Sequence, residues 1–366
     1  MQTRRHSACH PTVVPNKKEK SEIEVMKEYS RLPDRKSKIT LAEVAKLAKV
    51  SEITVSRVMR DKGPISEETR KNVLAIVERI GYVPNRIAGS LASSRSNIIG
   101  VAIPSLSNIV FPEVLRGIHA GLKGTDFQPV VGVTDYNVKT EESFVRSIMA
   151  WKPAAMILVG FDHTDAARKI LALSGIRIAE LMDIHPQPLD IAVGFSHRQA
   201  GYDTGRYLIE RGYKRFGYVG HNWDDDHRAK VRYDGLCQAL GEAGLNFIAH
   251  SRFDGPSSMA AGRAMTAQLL SHKSKVDVAV YSNDDMAVGG VFHCLGAGVA
   301  LRKQLAIFGF NGLDIGDALP MALSTLRSNR FLIGKIATEK LIENLERRAE
   351  NVVIDTGYQI IAGETA

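Results

Sequence analysis

At 366 residues and 44% hydrophobic content, the chain is long enough for two or three domains with real cores, and its composition excludes a protein that is disordered throughout. It has no run of about 18 apolar residues to span a membrane, and its start, "MQTRRHSACHPTVVPNKKEK", lacks the apolar block of a signal peptide, so a cytoplasmic location is expected. The net charge of +8 is unevenly placed: residues 1–96 hold 20 Lys/Arg against 11 Asp/Glu, and residues 97–366 hold 28 against 29.

A basic first quarter on a near-neutral body is the charge signature of a nucleic-acid-binding module joined to another domain, although a solubilising tail has the same composition. Cys9, Cys237 and Cys294 are too few and too scattered for a disulfide framework and are read as free thiols. Residues 1–36 are polar and charged without a sustained period, which predicts a disordered basic arm. His6, Cys9 and His10 lie within it at metal-like spacing, but no fourth ligand accompanies them and chance explains the spacing better.

Residues 37–83 predict three short helices. Thr40 and Glu43 form a capping box ahead of Leu41, Val44, Ala45 and Ala48, which line one face at i, i+3, i+4, i+7. After a brief turn Ser51 caps a second helix that buries Val55, Val58 and Met59 and leaves Glu52, Ile53, Ser56, Arg57 and Arg60 more exposed. Two helices so closely joined imply a helix-turn-helix. Ser66 caps a third, with Val73, Val77 and Ile80 inward and Gly81 as its stop.

Residues 84–96, "PNRIAGSLASSRS", read as a marginally helical linker, since Gly89 falls inside it. Beyond it, "IIGVAIP", "PVVGVT", "AAMILVG", "IRIAEL", "FGYVG", "VAVYS" and "LAIFGF" alternate with helical segments. Repeated βα units of this kind give parallel sheets covered on both faces, and about 270 residues of them fit two doubly wound subdomains with a ligand between. No G-x-G-x-x-G, Walker loop or G-x-S-x-G stands at a strand-to-helix turn. No catalytic residue, cofactor or metal is therefore expected.

The segments "TLAEVAKLAKVSEITVSRVMR", "ISEETRKNVLAIVERIGYVPNRIA", "YLIERGYKRFGYVG", "SNDDMAVGG" and "FGFNG" together resemble the LacI/galactose repressor family over about residues 38–362. Within it, "ELMD", "DIAVGF", "NDDMAVG" and "GFNGLDIG" are most similar to the gluconate operon repressor branch. The resemblance implies a homodimeric transcription regulator, a helix-turn-helix headpiece on a core similar to periplasmic sugar-binding proteins. It divides the core into an N-subdomain, about 97–195 and 326–350, and a C-subdomain, about 196–325 and 351–366. The implied partners are pseudo-palindromic double-stranded operator DNA and a small effector, a sugar acid such as gluconate, with a neutral sugar or a purine as the alternative; an activator is the alternative to a repressor. No membrane partner is implied, and the resemblance leaves no metal role for "WDDDH", Trp223 to His227, which it implies is a polar lip of the cleft.

Residue by residue, the family's major-groove readers fall on Glu52, Ile53 and Arg57, with Thr54, Ser56, Asn85 and Arg86 completing the contacts and Leu91 as the minor-groove wedge. Arg57 suits guanine O6 and N7, Ile53 a thymine methyl and Glu52 a cytosine amine; a phosphate contact for Arg57 and a dipole role for Glu52 are the alternatives. Leu91 has packing on its dimer mate as a second reading. The family's effector contacts fall on Phe111, Arg232, Phe253, Asn283 and Asn311, the last departing from a common Asp. Arg228 precedes Arg232 by one helical turn and joins this set, unless it pairs with Asp224, Asp225 or Asp226.

Overall fold

A computed structural model describes residues 39–61, 63–83, 96–223, 226–273, 275–343, 345 and 351–366. The expected N-terminal arm with Cys9, the linker with Gly89, and Asn85, Arg86 and Leu91 lie outside the described residues. The chain divides into two units, residues 1–88 and 89–366.

The first unit is three helices: α1 Leu41–Ala48, α2 Glu52–Met59 and α3 Glu67–Ile80. Each start carries the expected side-chain cap. Thr40 receives the Glu43 N–H while Glu43 Oε2 accepts the Thr40 N–H at 2.7 Å; Ser51 receives the Thr54 N–H at 3.1 Å and Ser66 that of Thr69 at 3.2 Å. Such caps contribute about 1 kcal/mol each, which matters in helices of only a few turns. Val44, Ala45, Ala48, Val55, Val58, Val73, Ile76 and Ile80 make one small core. Val77 and Met59, expected inside, are only partly buried, and Ile76 takes the deeper place in α3.

The second unit holds two sheets of six strands. The first has the order β11-β5-β4-β3-β1-β2, built from β1 Ile98–Ile103, β2 Gln128–Val133, β3 Ala155–Val159, β4 Arg177–Leu181, β5 Ile191–Gly194 and β11 Val352–Asp355. All its pairings are parallel. The second has the order β12-β10-β9-β8-β6-β7, from β6 Phe216–Gly220, β7 Phe247–Arg252, β8 Val278–Tyr281, β9 Ala306–Asn311, β10 Ser324–Ser328 and β12 Tyr358–Ile361, antiparallel only between β10 and β12. Five strands escape a reading by apolar runs: β5, β7, β10, β11 and β12. β7 and β10 carry His, Ser, Thr and Arg, β5 and β11 are four residues long, and β12 is an edge. β11 pairs with β5, which places residues 352–355 in the first sheet, whereas the sequence pointed to the second from 351 onward.

The helices are α4 Val110–Leu122, α5 Val138–Met149, α6 Asp165–Leu173, α7 His197–Glu210, α8 His227–Glu242, α9 Met259–Leu270, α10 Asp284–Ala297, the short α11 Asp314–Asp317, and α12 Arg330–Glu343. Close helix crossings in this unit rest on reciprocal glycines. A Cβ on Gly201 of α7 would lie 2.0 Å from the Arg232 carbonyl oxygen of α8, and one on Gly235 of α8 would lie 2.0 Å from the Arg198 oxygen of α7. Gly117 with Gly334 and Gly262 with Gly289 do the same for α4–α12 and α9–α10. The first crossing carries Arg232 against the start of α7, and with it into the candidate effector site. Among the described residues, no helix is long and apolar enough to cross a membrane.

Candidate functional site

In the first unit, α2 presents an exposed edge. Ile53 is 66% exposed despite its apolar chain, and Glu52 and Arg57 beside it are also exposed. This edge sets an apolar side chain beside a guanidinium. The Arg57 stem passes close to Gly63, whose positive φ of 84° bends the chain after the helix, and among the described residues no carboxylate pairs with its head. Arg70, in contrast, is paired with Asp61. Thr54 is placed differently from the other expected readers: its hydroxyl lies 2.9 Å from that of Ser51 and belongs to the cap. Ser56 is half-buried on the exposed side of Val55 and Val58.

In the second unit, the parallel strands end in loops that gather polar side chains, as ligand sites of open α/β sheets do. Arg232, from the second turn of α8, is buried at 8% exposure. Its guanidinium lies 4.1 Å from the Phe310 ring centroid, donates to Ser282 O at 3.1 Å and donates to His197 Nδ1 at 3.1 Å. The other imidazole nitrogen donates to Met182 O at 2.8 Å. Since a guanidinium only donates and a carbonyl only accepts, this ring is neutral, with its proton on Nε2. Burial, reinforced by the charges of Arg232 and Arg228, holds its pKa well below the usual histidine value.

Arg228, one turn earlier, lies 6.0 Å from the Phe111 ring centroid and comes within 3.2 Å of where a Gly160 Cβ would stand. Its Nε is 3.9 Å from Asp226 Oδ1, so the expected alternative of pairing with Asp226 holds in part. Asp226 also caps α8 by accepting the Ala229 N–H at 3.2 Å, and its Oδ2 lies 3.6 Å from His221 Nε2. Burial acts to raise this carboxyl, but His221, Arg228 and Arg232 hold it far below the carboxylate range. Across from it, burial raises the Tyr136 phenol, with Asp226 adding to the effect.

Phe111 is buried at 2% and meets Tyr136 edge-on at 6.2 Å, while Tyr136 accepts from Asn108 Nδ2 at 3.1 Å. Asn283 is buried as the N-cap of α10, its Oδ1 taking the Met286 N–H at 3.1 Å. Asn311 ends β9 with φ 119°, an unusual backbone for a residue other than glycine, and Tyr136 and Met182 also have positive φ at strand ends. Arg330 fixes the Asn311 loop: it donates to the carbonyls of Asn311 and Gly312 and pairs with Glu113 of α4 at 2.5 Å. Asp284 supports the same loop through the Leu313 N–H at 2.7 Å and the Thr325 hydroxyl at 2.6 Å; burial pushes its carboxyl up to about 6 against those bonds.

The structure thus gathers Phe111, Arg228 and Arg232 into one cluster and sets Asn283 and Asn311 at neighbouring strand ends. Phe253 is 37% exposed beside Gly255 and makes no ring contact with that cluster among the described residues. Sequence reading missed His197, Phe310, Asp183, Tyr136 and Ser282. Each stands at or just after the C-terminal end of a parallel strand, and that position was the signal available. Among the described residues no group of His, Cys, Asp and Glu is arranged to hold a metal ion.

Comparison with known proteins agrees with both units. Residues 40–85 match the family of bacterial regulatory proteins of the lacI family, and residues 96–361 match the periplasmic binding proteins and sugar binding domain of the LacI family. The chain is 34% identical to the HTH-type transcriptional regulator GntR of Pseudomonas aeruginosa, over 89% of this chain and 95% of that one. It is 32% identical to the HTH-type transcriptional regulator IdnR of Escherichia coli, over 90% of this chain and 99% of that one. A crystal structure of a LacI-family transcriptional regulator from Silicibacter pomeroyi superposes with a TM-score of 0.84 at 40% identity, covering 89% of this chain and 99% of that one. With a headpiece and a core that both match, over nearly the whole length of these regulators, the chain belongs to the LacI family of DNA-binding transcriptional regulators.

Proposed function

We propose that the protein is a homodimeric repressor that leaves its operator when a sugar acid, gluconate or a close relative, enters the core. One observation carries the choice of an acid. Arg232 is a buried guanidinium whose hydrogen-bond acceptors are an imidazole and a carbonyl, and no carboxylate among the described residues lies within 4 Å of it. A buried cation without a direct counter-ion is costly, and a ligand carboxylate held by two N–H bonds would supply what is missing. Arg228 adds a second guanidinium one turn away, and Asn311, in place of a carboxylate, removes a repulsion such a ligand would meet. Asn283 and Asn311 are assigned to the hydroxyls, and Phe111 to the carbon backbone. A change in how the two sheets of the core are arranged on binding would then alter the spacing of the two linkers.

On DNA, Ile53, Glu52 and Arg57 are assigned to base edges in the major groove, with Ser56 and Thr54 beside them. Asn85 and Arg86 are assigned to the backbone and Leu91 to the minor groove, from the family resemblance alone. Thermal-shift measurement of the full chain tests the effector: gluconate should raise the melting temperature and glucose at equal concentration should not. A shift with glucose or a purine, and none with the acid, would replace the sugar acid by that ligand and leave the regulator standing.

A further inference from the structure

The head of Arg228 rests against the loop that follows β3. Gly160 opens that loop with φ 87°, and a Cβ there would stand 3.2 Å from Arg228 Nη1, so the bare backbone is the arginine's seat. Three residues on, His163 ties the same loop into the first sheet and its helices. Its ring is fully covered, with Nδ1 2.6 Å from Glu141 Oε1 of α5 and Nε2 3.2 Å from Glu180 Oε1 of β4. Elsewhere the loop is held by the Gly160 N–H on Leu181 O at 2.9 Å and by Arg168 of α6 on Phe161 O at 3.0 Å. Both ring nitrogens meet carboxylate oxygens, which only accept, so the ring donates twice and is an imidazolium. Glu180 is committed further, since its Oε2 accepts the Leu189 N–H at 2.6 Å. A neutral ring has one N–H, which would leave one buried carboxylate facing a lone pair, a repulsion that drives the loop from its place.

Resting on the assignment of Arg228 to the effector above, we propose that His163 is a positioning residue for the effector site: as an imidazolium it fixes the loop after β3 under Arg228, and so sets how tightly the effector is held without touching it. The charges around the ring give the sign of its pH dependence. Glu141 faces it from α5 and Glu180 from β4; Glu142, next to Glu141, is taken by the Thr164 hydroxyl at 2.7 Å, and Arg168 of α6 is turned to Phe161 O. Burial alone would lower the pKa of the ring, but the two carboxylates push it up to about 9. The imidazolium is therefore complete at neutral pH and is lost as the pH rises through about 9, and effector affinity falls with it.

The test is calorimetric titration of the full chain with gluconate from about pH 7 to about pH 10, on the wild type, His163→Gln and Glu141→Gln. In the wild type the dissociation constant should rise by about tenfold across an inflection near pH 9. His163→Gln should bind more weakly than the wild type at neutral pH and show no inflection. Glu141→Gln, which removes one of the two carboxylates, should move the inflection to lower pH. A flat wild-type profile overturns the proposal even if neither variant folds. So does an inflection that survives in folded His163→Gln, or one that stays in place in folded Glu141→Gln. If gluconate does not bind and glucose does, the sugar-acid reading falls, and the same profiles taken with glucose decide the proposal. Binding of neither at any pH removes both.

Discussion

Arg57 and Arg232 carry the same guanidinium into opposite surroundings, and the difference decides what each can recognise. Arg57 is exposed at the end of a two-turn helix, where a base edge or a phosphate is the natural partner. If it reads guanine, Arg57→Ala weakens binding to the cognate operator by about 1–3 kcal/mol and relaxes preference at one base position per half-site. Operator titrations on cognate and scrambled DNA distinguish this from a phosphate contact, which would weaken both equally. Arg232 is buried and held by His197 and Ser282. Arg232→Ala should leave operator affinity within about threefold and abolish the response to the acid; a variant that still responds would take Arg232 out of the site. At this scale the sequence singled out Arg232 and Asn311 by matching residue types to family positions, and the fold buries both. His197 was illegible because one histidine after a serine cap looks like any helix start. Only the fold brings Met182 O to one of its nitrogens and Arg232 to the other.

Among the elements, the crossing of α7 and α8 links packing to the effector site. Gly201 and Gly235 each sit where a methyl would enter the other helix's backbone. Gly201→Ala should push α8 away at Arg232, lowering the melting temperature and weakening acid binding together; an unaffected affinity would mean that the helix position does not set the site. A second element-level feature joins α5, β4 and the loop after β3. His163, buried between them, has Nδ1 2.6 Å from Glu141 Oε1 and Nε2 3.2 Å from Glu180 Oε1. Burial alone would lower its pKa, but the two carboxylates overcome this and push it to about 9. The folded value is above the ordinary one, so this stabilisation is complete below about pH 6.5 and is lost as the pH rises toward 9. Melting curves of the wild type should fall across that window by more than those of His163→Gln, and the substitution should itself be destabilising at neutral pH. Parallel curves for the two proteins would contradict the charged cluster. Elements with strong caps and apolar runs, such as α1, α2, α3 and β3, were legible from sequence. β7 and β10 were not, since their polar residues break the apolar pattern and find partners only in the fold, as Ser251 does in Gln268 and Thr325 in Asp284.

For the whole molecule, charge is the clearest statement the sequence makes. The basic excess lies in residues 1–96 and the body is nearly neutral, so operator affinity should fall with salt by roughly 0.9 log units per phosphate neutralised, and a flat dependence would contradict electrostatic DNA binding. The order of the strands, in contrast, was not written in any local stretch. The chain passes between the two sheets of the core after β5, after β10 and again between β11 and β12, and the last passage was placed a few residues early because β11 is short and follows a charged stretch. The coupling of the core to DNA is tested most directly by one titration. Preformed complex of the full chain with operator DNA, monitored by fluorescence anisotropy of labelled DNA, is exposed to gluconate and separately to glucose at equal concentration. Release by gluconate and none by glucose is the expected result; retention of DNA in gluconate, with release by glucose or by neither, would contradict a repressor relieved by a sugar acid.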